Sequence, residues 1–285
     1  MIIVTGATGQ LGHLVIKALL KKVPASSIIA AVRNVEKAKD LAALGVQVRY
    51  ADYNQPASWD AALKGAAKVL LISSSEIGQR AKQHRAVIDA VKRAGVKLLA
   101  YTSILHADTS PLALAAEHKE TEAYIRASGV PFVLLRHGWY TENYTAGIPG
   151  VLAQGALYGC AGNGRIASAT RADYAEADVA ALTTDNQPGK VYELAGDAAY
   201  TLAELAAEIS RQSGKSIAYV NLPEAEYKNV LLKVGLPEAF AALLSDSDTG
   251  VSKGGLFDDG HQLSKLIGRP TTPLATAVSA AIVAA

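Results

Sequence analysis

Cysteine is nearly absent. Cys160 is the only one in 285 residues, which excludes an intramolecular disulfide and any metal site built on paired thiolates. An excess of charge is missing too: 28 lysines and arginines face 26 acids, for a net charge of +2. No long basic run occurs, so neither a nucleic-acid face nor a polybasic membrane contact has support. No uninterrupted apolar run approaches the length of a membrane span. The six histidines lack metal-ligand spacing, and no Gly-x-Ser-x-Gly elbow is present, so metal and serine hydrolysis are not supported. Only 19% of residues are charged while half are hydrophobic, which argues against disorder and for a sizeable core. Met1 runs straight into an apolar stretch that leaves no room for a secretory leader. A soluble, cytoplasmic protein is expected.

What the chain does have begins at once. Ile2-Ile3-Val4-Thr5 is strand-like and meets Gly6-Ala7-Thr8-Gly9-Gln10-Leu11-Gly12, and an apolar-periodic segment from Leu11 to Leu20 follows. Strand, tight turn and helix start form the arrangement in which backbone N–H groups at a helix N-terminus receive a pyrophosphate. The spacing is G-x-x-G-x-x-G, and an ordinary structural turn remains the alternative at this point. Strand-length apolar runs then alternate with helical segments: strands at Ile28–Arg33, Val46–Ala51, Lys68–Ser73, Lys97–Thr102 and Val130–Arg136, with helices between them. The runs are continuously apolar, as in strands buried on both faces. The pattern predicts an α/β fold with a doubly wound parallel sheet of Rossmann type.

Beyond residue 136 the alternation loosens. Lys190–Ala195 reads as a return to the main sheet. Leu157-Tyr158 and Ile217–Val220 suggest a small extra strand pair, and helices are expected at Thr201–Gln212, Pro223–Val234, Pro237–Leu244, His261–Ile267 and Thr272–Ile282. The expected division is a dinucleotide-binding domain over 1–145, to which 169–198 returns, and a smaller, mostly helical lobe over 146–168 and 199–285.

In such sheets ligands bind beyond the carboxyl ends of the strands, where strand order reverses. The second strand ends in Arg33, 21 residues after Gly12. An acid there would bond the ribose hydroxyl of NAD, whereas an arginine accepts the 2′-phosphate of NADP. The fourth strand ends in Ser73-Ser74-Ser75, which reads equally as a polar loop start or as hydroxyls against a ribose and nicotinamide. The sixth ends in Arg136-His137-Gly138-Trp139-Tyr140, where the glycine admits a flat ring and the aromatics either line it or pack the lobe. The fifth ends in Tyr101-Thr102-Ser103, near where short-chain dehydrogenases carry a catalytic serine. Their Tyr-x-x-x-Lys pair is missing from the next helix: the segment reads Ala115-Ala116-Glu117-His118-Lys119-Glu120, and Tyr124 is followed by Ser128. Without that acid, alcohol–ketone interconversion lacks its proton donor. His118, Lys119 and His106 are weak substitutes, and no residue is assigned a catalytic role.

These stretches carry a resemblance. Thr5 to Gly12, Val32-Arg33-Asn34, Ala51-Asp52-Tyr53, Leu71 to Ser75, Tyr101-Thr102-Ser103, Leu135-Arg136 with Gly138 to Tyr144, Ser252 to Gly255 and Leu266 to Thr272 together resemble the NmrA-like branch of atypical short-chain dehydrogenases. Within it they are most similar to the bacterial NADPH-dependent quinone oxidoreductases of type 2. The resemblance implies NADPH held by Gly6, Ala7, Thr8, Gly9, Gln10, Leu11, Arg33, Ser73, Ser74, Ser75, His137, Gly138, Trp139, Tyr140, Thr141 and Glu142, and a small-molecule quinone shaped by Tyr140 and Asn143. The chain departs from the family at His137, where asparagine is usual. The absent Tyr-x-x-x-Lys pair is compatible with quinone reduction, because positioning rather than acid catalysis then supplies most of the acceleration. Two further readings follow from the same family: a non-catalytic NADP(H)-sensing regulator, and a reductase of other conjugated acceptors such as triarylmethane dyes. Oligomeric state is left open.

Overall fold

Buried aliphatic residues at helical and strand spacing account for most elements of the chain, whose computed structural model describes residues 1–284. Strand β1 (Ile2–Val4) is buried at every position and feeds α1 (Gln10–Leu19), whose Leu11, Val15, Ile16 and Leu19 line one buried face. Then follow β2 (Ile28–Val32), α2 (Lys39–Ala43), β3 (Gln47–Tyr50), α3 (Ser58–Ala62), β4 (Lys68–Leu71), α4 (Arg80–Arg93), β5 (Leu98–Ile104), α5 (Ala115–Ser128) and β6 (Phe132–His137). The chain continues through α6 (Glu142–Thr145), α7 (Ile148–Gln154), β7 (Ala156–Gly159), α8 (Arg171–Thr183) and β8 (Val191–Leu194). It ends in α9 (Leu202–Ser213), β9 (Ala218–Asn221), α10 (Glu224–Lys233), α11 (Glu238–Ser252), α12 (Gln262–Ile267) and α13 (Leu274–Val283).

The main sheet has seven strands in the order β3-β2-β1-β4-β5-β6-β8, so the chain does return to it through β8. β1 pairs in parallel with β2 on one side and with β4 on the other, Val4 lying opposite both Ala30 and Leu70. Strand order therefore reverses between β1 and β4, and the carboxyl ends of these two strands flank the switch-point crevice of a doubly wound sheet.

Two compact units divide the chain. The first comprises Met1–Ile104, Glu117–His137 and Arg171–Tyr192, around a core that includes Ile3, Ile29, Trp59, Leu71, Leu99 and Leu134. The second comprises Leu105–Ala116, Gly138–Thr170 and the chain from Glu193 onward. It contains the anticipated small sheet, in which β7 and β9 run parallel with Leu157 opposite Tyr219. Its helix α9 starts on a capping box, Thr201 accepting from the Glu204 amide while the Glu204 carboxylate takes the Thr201 amide.

Two helices differ from the sequence expectation. α11 runs to Ser252 instead of ending at Leu244, because its inner face continues in Ser245, Ser247 and Asp248, which are buried but polar. α6 was not anticipated at all; four residues are too few to show a period. Among the described residues no helix is long and apolar enough to cross a membrane.

Candidate cofactor and substrate site

The turn after β1 is built for close backbone approach. Gly6 has φ +57°, and the Gly9 amide donates to its carbonyl at 2.9 Å. A Cβ on Gly12 would overlap the Gly6 carbonyl oxygen and come within 2.8 Å of the Ala7 Cα, so this position requires glycine. α1 begins with no side-chain cap and no acid in its first turn, while Thr8, Gly9 and Gln10 are exposed. Its leading N–H groups are thus left to an external acceptor, and the helix dipole favours an anion there.

Across the switch point, the ends of β1 and β4 are tied by one phenol. Tyr53 donates to the Ile72 carbonyl at 2.7 Å, and the Ile72 amide donates to the Thr5 hydroxyl at 2.9 Å. The Thr5 and Tyr53 oxygens lie 2.6 Å apart. Since the single Tyr53 proton goes to Ile72, the Thr5 hydroxyl is the donor in that last contact.

The serine loop that follows is clamped from behind. The Ser73 amide donates to the Thr102 hydroxyl at 2.9 Å. Both backbone groups of Ser74 are taken by α4: its amide donates to His84 Nε2 at 2.9 Å, and Arg80 Nε donates to its carbonyl at 2.6 Å. Arg80 and His84 lie one helical turn apart and therefore share a face. Because His84 Nε2 accepts, its proton sits on Nδ1 and is donated to Thr121 Oγ1 at 3.0 Å, and Thr121 donates on to the Glu117 carbonyl at 2.8 Å. Burial, reinforced by the Arg80 charge, pushes the His84 pKa down to about 3, so the ring is neutral near pH 7. Of the three serines, Ser74 is buried, Ser73 half-buried and Ser75 exposed.

Arg33 extends from the end of β2 with its side chain 69% exposed, and its NH1 lies 3.4 Å from Glu76 Oε1. Asn34 caps the turn that follows, accepting from the Glu36 and Lys37 amides.

At the end of β6, Arg136 is buried in a two-pronged pair with Glu122, at 2.9 and 2.6 Å. Glu122 also accepts from the Ser103 hydroxyl at 2.6 Å. The serine that aligned with a catalytic position is therefore engaged in the core. His137 is buried, with Nε2 2.8 Å from Asp178 Oδ1 and its ring stacked 4.6 Å from Tyr174. Burial raises the Asp178 pKa, and the neighbouring imidazole opposes that rise. The Nε2 edge of His137 is thus turned toward Asp178.

The second unit carries residues 138 to 144. The Gly138 amide donates to the Leu194 carbonyl at 2.7 Å, and the Thr141 amide to Ala169 at 2.9 Å. Thr141 Oγ1 lies 2.8 Å from Ser168 Oγ, which is 2.7 Å from the Tyr200 hydroxyl. Trp139 is buried, Tyr140 and Glu142 are half-buried, and Asn143 is exposed. Tyr144 reaches toward Asp248 at 3.4 Å. Burial pushes the Asp248 pKa up to about 6.

Of the candidate proton donors, His118 and His106 are engaged with other groups of the protein. His118 is 4% exposed instead of sitting on a solvated helix face, and its Nδ1 lies 2.8 Å from the Tyr101 hydroxyl. Burial holds it well below the ordinary histidine range. Lys119 is exposed. His106 lies 3.7 Å from Glu193 and 3.4 Å from Asp258, beside the Phe257 carbonyl. Among the described residues no cluster could hold a metal ion. Sequence reasoning gave no role to Arg80, Gln83, His84 or Glu76, nor to Tyr53, which appeared only within a stretch that carries the family resemblance. The one available signal was the i, i+3, i+4 spacing of Arg80, Gln83 and His84 on an otherwise amphipathic helix.

Residues 1–272 match the model of the NmrA-like family. The chain belongs to that family. It is 60% identical to quinone oxidoreductase 2 of Escherichia coli strain K12 over 98% of both chains. A crystal structure of the NADPH complex of that E. coli enzyme superposes with a TM-score of 0.97, covering 99% of this chain and 100% of the other. The Citrobacter sp. triphenylmethane reductase complexed with NADP(H) is 42% identical, with a TM-score of 0.95 over 99% of this chain and 100% of that one. The negative transcriptional regulator NmrA, at 19% identity and a TM-score of 0.78 over 98% and 94% of the two chains, shares the fold alone.

Proposed function

We propose that this chain is an NADPH-dependent quinone oxidoreductase. The observation that carries the reading is its 60% identity, end to end, with an E. coli enzyme of that name whose structure holds NADPH. The residues present fit the cofactor: the α1 N-terminus has no side-chain cap, its glycine turn excludes any larger residue at Gly12, and an exposed guanidinium ends β2.

In this reading Gly6 to Leu11 hold the pyrophosphate and Arg33 the 2′-phosphate. The Ser73–Ser75 loop borders the nicotinamide half, and residues 137 to 142 contribute backbone groups and the flank of Tyr140. Tyr140 and Asn143 contact the acceptor. When bound, NADPH supplies the hydride. The protein's part is to orient the acceptor within the roughly 3–3.5 Å that transfer requires. None of His84, His118 or Ser103 is placed to give a proton, since each is engaged inside the first unit. A hydroquinone anion takes its protons readily from water, so no acid is required of the chain.

The test is turnover. Purified protein mixed with NADPH and a panel of simple quinones should consume the cofactor's absorbance, and no turnover with any quinone would overturn the assignment. The 42% identity to a triphenylmethane reductase favours a second acceptor class, so a triarylmethane dye belongs in the panel. Faster turnover of the dye than of every quinone would reassign the substrate.

A further inference from the structure

Glu76 lies on the loop between β4 and α4, and it is not a wandering surface acid. Its Oε2 accepts from Gln83 Nε2 at 2.7 Å and faces Asn54 Nδ2 at 3.4 Å. Gln83 is 1% exposed and also donates to Asn54 Oδ1 at 3.0 Å, so the group that anchors the carboxylate is itself fixed on the buried face of α4. The Glu76 backbone is held as well, its amide donating to Ser74 Oγ at 3.1 Å. With one oxygen secured from below, the other is presented to Arg33 NH1 at 3.4 Å.

We propose that Glu76 is a specificity-determining residue: a carboxylate held against Arg33 that competes with the 2′-phosphate for the guanidinium and so weakens NADPH binding relative to NADH. The inference rests on the assignment of Arg33 to the 2′-phosphate. A guanidinium has five N–H donors and can meet both anions at once, but the carboxylate and a phosphate of nearly two negative charges then repel each other. NADH carries a hydroxyl at that position and escapes the repulsion. The 2′-phosphate is remote from the nicotinamide, so the carboxylate acts on oxidised and reduced cofactor alike. It shortens the stay of NADP⁺ as much as that of NADPH, and it keeps Arg33 oriented between turnovers.

Glu76→Gln removes the charge at nearly constant shape on an exposed side chain. Fluorescence titration of the purified protein with NADPH and with NADH gives both Kd values for wild type, E76Q, R33Q and the double variant, with melting curves to confirm folding. E76Q should tighten NADPH roughly two- to tenfold, the scale of a part-exposed ion pair acting on a dianion, while NADH changes less than about twofold. The gain should shrink as salt is raised, and in the R33Q background only the part due to direct carboxylate–phosphate repulsion should remain. An unchanged NADPH-to-NADH ratio in E76Q, or weaker NADPH binding, overturns the proposal. Equal losses of both cofactors in R33Q would instead remove the assignment on which it rests.

Discussion

His84 offers a sharp test of how the serine loop is held, because one ring bonds a backbone amide, a threonine hydroxyl and the edge of an aromatic stack. In His84→Ala the Ser74 amide, in a residue only 6% exposed, loses its acceptor. A buried amide left unpaired costs about 1–3 kcal/mol. The ring also packs edge-on against Tyr101 at 5.3 Å, a contact worth about 0.5–1.5 kcal/mol. With the Thr121 bond, worth about 1 kcal/mol, these give a loss of about 3–5 kcal/mol. His84→Gln can place an amide oxygen where Nε2 sits and so keeps the Ser74 bond; it should lose about 2 kcal/mol, from the Thr121 bond and the edge contact with Tyr101. Stability has a pH signature that separates this role from mere packing. Below the ordinary pKa of 6.5 the unfolded chain takes up a proton that the buried ring refuses until about pH 3. Unfolding therefore binds a proton across that window, and His84 makes wild type lose about 1.4 kcal/mol per pH unit on acidification. H84Q lacks that contribution, so its deficit should narrow and then reverse between pH 6.5 and about 3. Urea unfolding followed by circular dichroism over this range measures it. Alongside, the NADPH Kd should rise in H84A and return toward wild type in H84Q. Parallel pH curves for wild type and H84Q, or equal stability losses in H84A and H84Q, would refute the account.

Arg33→Asp should weaken NADPH at least tenfold, more than NADH, as judged by fluorescence titration; equal losses would mean the residue does not meet the 2′-phosphate. Gly12→Ala forces a Cβ onto the Gly6 carbonyl. It should cost about 1–3 kcal/mol in a denaturation curve and lower NADPH affinity, since the turn must open to admit it. Asp248 is raised from 3.8 to about 6, so the folded protein holds a proton that the unfolded chain releases. Its contribution is therefore greatest below pH 4 and is lost as pH rises through 6. Melting curves should show Asp248→Asn gaining on wild type over that interval, by about 1–3 kcal/mol.

The fold was readable wherever hydrophobic pattern and burial coincide. Ile2–Val4 and Ile28–Val32 are apolar runs that end at the polar Thr5 and Arg33, and Lys68–Leu71 is apolar after its first residue; each is a sheet strand. The pattern failed where the inner face is polar. α4 was expected as a helix, but its buried residues include Arg80, Gln83 and His84, types that a hydropathy reading assigns to solvent. Each is buried because a loop group receives it: Ser74 takes Arg80 and His84, and Glu76 takes Gln83. Those partners are distant enough in sequence that no local period reveals them. The same reason hid the second half of α11 and the core role of His118. Gly6 to Gly12 and Arg33 stood out as candidates because backbone geometry and strand-end position are visible in the sequence. The residues that hold the loop between them were not legible, since their chemistry is inward-facing.

The Tyr53 phenol joins the strand ends that lead into the glycine turn and the serine loop. It gives its only proton to Ile72 and receives the one on Thr5, while Thr5 accepts the Ile72 amide. Every polar atom in this ring of contacts is both a partner and a hostage: phenylalanine at position 53 would orphan the Ile72 carbonyl and unclamp Thr5 in the same stroke. The two lips of the crevice thus behave as one rigid rim. A nucleotide gripping the glycine side would slow amide exchange at Ile72 on the other, so occupancy could be read across the crevice from the turn that binds it.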